Sequence, residues 1–158
     1  YAPGFIFTTA LPPPICAAAT AAIRHLKTST WERERHQERA ARVKAILSAS
    51  GMPVMPTDTH IVPVFVGDAE KCKAATDMLL EEHGIYIQPI NYPTVPRGTE
   101  RLRVTPTPFH DDDLVEKLRA ALVEVWERLG LPLSGPIEPA AETVDQPVAR
   151  VAVPRSGG

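Results

Sequence analysis

The sequence predicts an α/β fold, with a small layer of strands packed against helices and a long helix leading into it. Three observations lead there. Apolar residues recur at helical spacing in several long stretches, short apolar runs with strand-like alternation fall between them, and glycine or proline marks nearly every junction. After the long helix the order is strand, helix, strand, strand, helix, which indicates one small sandwich layer.

Phe5 to Thr9 is an apolar run suited to a short strand, and in "LPPPI" Pro13 or Pro14 can occupy a first helical turn without losing a needed donor. The helix that begins there is alanine-rich to Ala22. It continues, with a kink expected at the "TST" of Thr28 to Thr30, through Trp31 to Ser50. Val43, Ile46, Leu47 and Ser50 share one face of it. Arg33, Arg35, Arg39 and Arg42, with Glu32, Glu34 and Glu38, cover the others and read as a solvated surface. Gly51 and Pro53 end the helix.

"HIVPVFVGD" is a strand in which Pro63 demands an edge position or a bulge, and Asp68 is placed to cap the next helix. Cys72, Ala75 and Leu79 recur along that helix, and Gly84 suits its left-handed end. "IYIQPI" is a second strand, "NYPTVPRGTE" a loop of turn formers and "RLRV" a third strand. The last helix carries Leu114, Leu118, Leu122, Val125 and Leu129 on one side and three aspartates near its positive end. It stops at Gly130 and Pro132. From Ser134 onward periodicity is lost, and a disordered tail is expected.

Composition excludes several classes. The chain has 158 residues, 44% of them hydrophobic and 23% charged, with a formal net charge of -2. That balance offers nothing to a nucleic acid or an anionic membrane, which call for a basic excess. No apolar run approaches the roughly 18 residues of a spanning helix. Cys16 and Cys72 are too few for a disulfide framework and, set among alanines, read as small buried hydrophobes. The opening residues, with no initiator methionine and a strand leading straight into a helix, read as the middle of a larger fold, so a fragment is expected.

Among candidate chemical groups, Arg103 alternates with Leu102 and Val104 and therefore faces away from them. Its planar fork matches a carboxylate in two parallel hydrogen bonds, and Pro106 and Pro108 restrict the backbone just beyond it. On the residues alone, a strand arginine paired with a surface glutamate is the simpler account. Thr94, in a loop between two prolines, has the constrained backbone of a substrate-facing hydroxyl, though turn chemistry explains it equally well. Thr8 and Thr9 offer hydroxyls to a phosphate, yet a threonine pair ending a strand is unremarkable by itself. His60, His83 and His110 show no metal-ligand spacing and read as boundary residues, His83 being favoured by the negative end of its helix. The residues alone spell out no complete active site and no metal site.

Taken together, "YAPGFIFTTALPP", "HIVPVFVGD", "IYIQPINYPTVPRGTERLRVTPTPFH" and the closing leucine helix closely resemble the C-terminal portion of the 5-aminolevulinate synthase family. That family belongs to the α-oxoamine synthases, pyridoxal-phosphate enzymes with the aspartate-aminotransferase type of fold. The resemblance runs from Tyr1 to about Leu133. It implies the C-terminal small domain of such an enzyme, with a small, mainly antiparallel sheet against helices. Residues 1–12 would be a strip of the large cofactor domain, 13–50 a linking helix or kinked pair, 51–133 the small domain and 134–158 the tail.

The resemblance also implies condensation of glycine with succinyl-CoA to 5-aminolevulinate on the way to haem, by a homodimer using pyridoxal 5'-phosphate. The location would be cytoplasmic in a bacterium, or the mitochondrial matrix in a eukaryote. Arg103 would bind the glycine carboxylate and Thr94 would face the succinyl group. Thr8, and less directly Thr9, would reach the cofactor phosphate of the neighbouring subunit. The family's cofactor-binding lysine lies upstream of the matched segment. None of Lys27, Lys44, Lys71, Lys73 and Lys117 matches its motif, so the chain alone is expected to be inactive. Other enzymes of the group, making 2-amino-3-ketobutyrate or 8-amino-7-oxononanoate, are the enzymatic alternatives. A free-standing α/β interaction module is the non-enzymatic one.

Overall fold

The computed structural model of the chain describes residues 11–135. The strand expected over Phe5 to Thr9, with Thr8 and Thr9 themselves, and the tail from residue 136 lie outside the described residues. Helix α1 spans Pro13–Thr28, with prolines in its first turn, and α2 spans Trp31–Ala49. Ser29 and Thr30 separate them. Ser29 leaves helical geometry with ψ 129°, and its hydroxyl donates to Glu32. His25 and Ser29 both hydrogen-bond the Glu32 carboxylate, holding its pKa down at about 2.

The sheet is three-stranded and wholly antiparallel, with order β1-β3-β2, where β1 is Val62–Phe65, β2 Gln88–Ile90 and β3 Arg101–Val104. Pro63 lies on an edge strand, as its missing donor requires. Among the described residues the outer rim of β1 is met by the segment at 53–55, through Met55 N–H to Pro63 O and Phe65 N–H to Pro53 O, both at 2.9 Å. Of the "IYIQPI" run, only its last three residues pair in the sheet.

Helix α3, Ala69–His83, starts where the Asp68 carboxylate accepts the Lys71 N–H at 2.8 Å. It ends at Gly84, whose φ of 66° lets Ile85 N–H turn back to Leu79 O. Helix α4, Asp112–Arg128, is capped in the same way by Asp111, which accepts the Leu114 N–H at 2.8 Å. Helices α2, α3 and α4 bury one face of the sheet. Trp126, Leu47, Met52, Leu79, Leu102 and Leu122 are completely enclosed there.

Three expectations need correction. Arg39 is not part of a solvated surface: it is 5% exposed, because Asp112 from the first turn of α4 reaches across to it. Leu114 is 48% exposed, since the buried stripe of α4 runs through Val115, Leu122, Val125 and Trp126, about one position round from the expected face. Cys16 is exposed, because no described element covers α1, whose Ile15, Ile23 and Leu26 also stand open. Cys72 is buried as expected, and burial pushes its thiol up to about 11.

Candidate functional site

Alternation along β3 divides its side chains between two environments. Leu102 and Val104 enter the core, while Arg103 stands exposed on the opposite face. Its cross-strand neighbours are Pro63 on β1 and Gln88 on β2, neither of them charged. Gln88 is itself engaged by the Tyr86 hydroxyl at 2.8 Å. Among the described residues no carboxylate lies within 4.0 Å of the Arg103 guanidinium. The surface ion pair that the residues alone favoured has no partner among the described residues.

Arg103 lines one wall of a mostly apolar cleft of about 260 Å³, between the Gly84 to Ile87 segment, the end of β3 and the first turns of α4. Val43 and Ile87 contribute apolar surface, His110 borders it, and Lys117 adds a second cation from α4. Thr94 does not line this cleft. It is exposed in the 91–100 loop, where its N–H donates to Asn91 O at 2.9 Å.

The same loop and strand concentrate positive charge. Arg97 lies 4.6 Å from the centroid of the Tyr92 ring, and Arg101 donates through Nε to Thr99 O at 3.0 Å, so both are engaged by neutral groups. The one acid among them, Glu100, is 3% exposed and turned inward, accepting the Gly98 N–H at 2.9 Å. Its backbone carbonyl accepts both Val66 and Gly67 N–H groups. The Gly67 backbone, at φ 76°, runs so close to Phe65 that a Cβ would meet the ring at 3.0 Å. The loop is thus tied to the sheet while, among the described residues, three guanidinium groups remain without a carboxylate, an arrangement that favours anions.

The histidines divide by role. His36 and His60 pack in a tilted pair with ring centroids 4.5 Å apart, and His36 Nε2 lies 3.0 Å from Pro106 O. His110 Nδ1 accepts the Thr107 N–H at 3.1 Å. His83 meets Glu82 and Glu124 with all three ligand atoms within 4.8 Å of one another, a juxtaposition across α3 and α4 that spacing did not reveal. Arg128 pairs with both glutamates, so the trio acts as an ion-pair network joining the two helices. That guanidinium also holds Glu82 below the usual carboxylate range.

The sequence reading missed Arg39 and His36 as tertiary groups. Arg39 pairs with Glu38 and, at 2.7 Å, with Asp112, and these bonds raise its pKa and lower those of both acids. Of the lysines, Lys44 donates to Thr57 O and Thr59 O, and Lys73 pairs with Asp77.

The model of the family described as aminotransferase class I and II matches residues 1–122, and the chain belongs to that family. Within it, the chain is 77% identical over 133 residues to the 5-aminolevulinate synthase of Bradyrhizobium diazoefficiens, covering 84% of this chain and 32% of that relative. It is 57% identical over 131 residues to the Rhizobium meliloti enzyme of the same name, covering 83% of this chain and 32% of that relative. To the mitochondrial one of Yarrowia lipolytica it is 56% identical over 131 residues, covering 83% and 23%.

The chain thus spans about a third or less of the length of these curated relatives. Among solved structures, a serine palmitoyltransferase from S. paucimobilis with bound PLP superposes with a TM-score of 0.70 at 30% identity, over 78% of this chain and 31% of that one. An 8-amino-7-oxononanoate synthase from Francisella tularensis shares the fold, with a TM-score of 0.60 at 23% identity over 79% and 36%.

Proposed function

We propose that this chain is the C-terminal part of a 5-aminolevulinate synthase, a homodimeric acyltransferase that joins glycine to succinyl-CoA with release of CoA and carbon dioxide. Residues 51–133 would form its small domain, and 13–50 the helical link to the cofactor domain. The observation that carries the reading is Arg103: an exposed strand guanidinium beside a cleft, with no carboxylate near it among the described residues. The high identity to relatives of that name supports the same choice.

In this reading the Arg103 fork takes the glycine carboxylate in two charge-assisted bonds, which orients the amino acid and holds its α-carbon in one place. Lys cannot reproduce that planar match. Thr94 faces the succinyl group, and the neutral partners of Arg97 and Arg101 leave the surrounding field positive toward the carboxylates of both substrates. Thr8 and Thr9 reach the cofactor phosphate in the neighbouring subunit. Pyridoxal phosphate, when bound, supplies the electron sink for the glycine-derived carbanion. The 158 residues alone carry no synthase activity, since none of the five lysines matches the cofactor-binding motif. The enzyme works in the cytoplasm of a bacterium or the matrix of a mitochondrion.

The test uses a chain extended to the length of the curated relatives. Glycine is titrated against succinyl-, acetyl- and pimeloyl-CoA in that protein and in its Arg103→Lys variant. A charge-assisted contact of about 1.5–3 kcal/mol predicts a glycine KM raised at least about tenfold. An unchanged glycine dependence removes Arg103 from the site, and a preference for the acetyl or pimeloyl donor removes the proposed reaction.

A further inference from the structure

The turn that follows Arg103 is fastened to α2 by four side chains of that helix. Trp31 packs on Phe109 with ring centroids 6.3 Å apart. Five residues on, His36 Nε2 meets Pro106 O at 3.0 Å; a carbonyl can only accept, so the imidazole carries its proton on Nε2. Three residues further, Arg39 reaches His110 O at 3.5 Å and Asp112 at 2.7 Å. After another three, Arg42 approaches Asp112 at 3.8 Å. Steps of three residues from His36 to Arg42 keep those three on one side of the helix, Trp31 reaches the same turn from the helix start, and each of the four touches the segment between Pro106 and Asp112.

That segment is short and stiff. Pro106 and Pro108 fix their own φ angles, the Thr107 N–H is taken by His110 Nδ1 and the His110 N–H by Thr107 O. A displacement of α2 is therefore passed along the turn to the end of β3 with little slack. Arg103 lies three residues before the carbonyl that His36 holds.

From this we infer that His36 and Arg39 are positioning residues, through which the linking helix sets where the Arg103 fork points. The inference rests on the reading of Arg103 as the glycine-binding group. Arg39 is the rigid strut, nearly buried between Glu38 and Asp112. His36 is the adjustable contact, half-buried and making one hydrogen bond to a backbone oxygen. A movement of the linking helix reaches the amino-acid site through this turn, the element the two share.

The experiment compares His36→Leu, which removes the donor, with His36→Gln, whose amide can still donate, and with Arg39→Lys, which keeps charge but loses the fork. All are made in the chain extended to the length of its curated relatives. His36→Leu is expected to raise the glycine KM about threefold to tenfold, the loss of one hydrogen bond's worth of alignment. The succinyl-CoA KM and the melting temperature should stay put. His36→Gln should recover most of the loss, and Arg39→Lys should shift the glycine KM in the same direction. Amide hydrogen exchange over residues 104–112 should quicken in His36→Leu while that of β1 is unchanged.

An unaltered glycine KM together with unaltered exchange overturns the inference. A parallel rise of both KM values with a loss of thermal stability does so too, since it marks a merely structural histidine. Arg103→Lys is run alongside. If it leaves glycine dependence unchanged, the reading of Arg103 as the glycine-binding group fails, and the exchange measurement still decides whether α2 positions the turn.

Discussion

Leu102 and Arg103 are adjacent on β3 and should respond to truncation in opposite ways. Leu102 is fully enclosed, flanked by Val64 on β1 and Pro89 on β2 and set in the core with Leu79 and Trp126. Leu102→Ala removes three carbons, worth about 2.4 kcal/mol at about 0.8 each. Strands on both sides limit collapse, so a void of about 50 Å³ at about 24 cal/mol per Å³ adds about 1.2. The expected loss is about 3.5 kcal/mol. Arg103→Ala removes an exposed side chain with no ionic partner among the described residues, and should change stability by no more than about 0.5 kcal/mol. Urea unfolding of the extended chain, comparing midpoints at constant slope, reads both numbers. Glycine titration of the same proteins should show the reverse order, with Arg103→Ala the severe variant. If Arg103→Ala costs 2 kcal/mol or more, or Leu102→Ala less than 1, the assignment of the two faces is wrong.

Three further outcomes follow from the same geometry. Arg39 lowers the pKa of Asp112 and of Glu38, so the folded state binds fewer protons than the unfolded chain; the stability this supplies is full above the ordinary carboxylate range and lost as pH falls through the lowered values. Melting temperatures taken from about pH 6 down to about pH 2 should therefore fall less steeply in Asp112→Asn, which is already less stable at neutral pH; an identical slope would refute the pairing. Cys72, buried and with its thiol pushed up to about 11, should resist a thiol reagent at pH 8 until denaturant is added, and fast labelling in the native protein would contradict that burial. Asp68→Ala removes the cap of α3 and should cost about 1 kcal/mol in the same urea assay, whereas Asp68→Asn should restore most of it.

What was legible in the sequence is what local chemistry determines. Asp68 and Gly84 bracket α3 because a cap needs a short acceptor and a left-handed end needs no Cβ. Pro63 could be placed on an edge because it has no donor for a second neighbour. Alternation alone separated Arg103 from Leu102. What was not legible depends on partners distant in the chain. Arg39 looks like its neighbours Arg35 and Arg42 until Asp112, 73 residues later, is brought over it. Leu114 fits the leucine stripe of α4, but Val115 and Trp126 shift the buried side by about one position once α2 and α3 are in place. For the site, the fork and its stiff neighbourhood could be read, whereas the lack of a carboxylate beside it is a property of the assembled sheet and loop.

Arg39 and Arg103 show why that last property matters. The two carry the same side chain and the same charge, yet one is nearly buried between two carboxylates and the other is exposed with none nearby among the described residues. A paired, desolvated guanidinium has few donors left to offer, and removing one of its partners exposes the cost of the buried charge. Such a group can brace an interface but cannot recognise an incoming anion without first giving up an internal bond. An exposed fork bordered by Pro63 and Gln88 surrenders only water when a carboxylate arrives, so most of the charge-assisted interaction remains available for binding. The inward turn of Glu100 has the same effect, because a carboxylate swung outward from that position would compete with the substrate for the cations around it. The fold therefore spends its acids where rigidity is needed and withholds them from the one strand face where an anion is expected to bind.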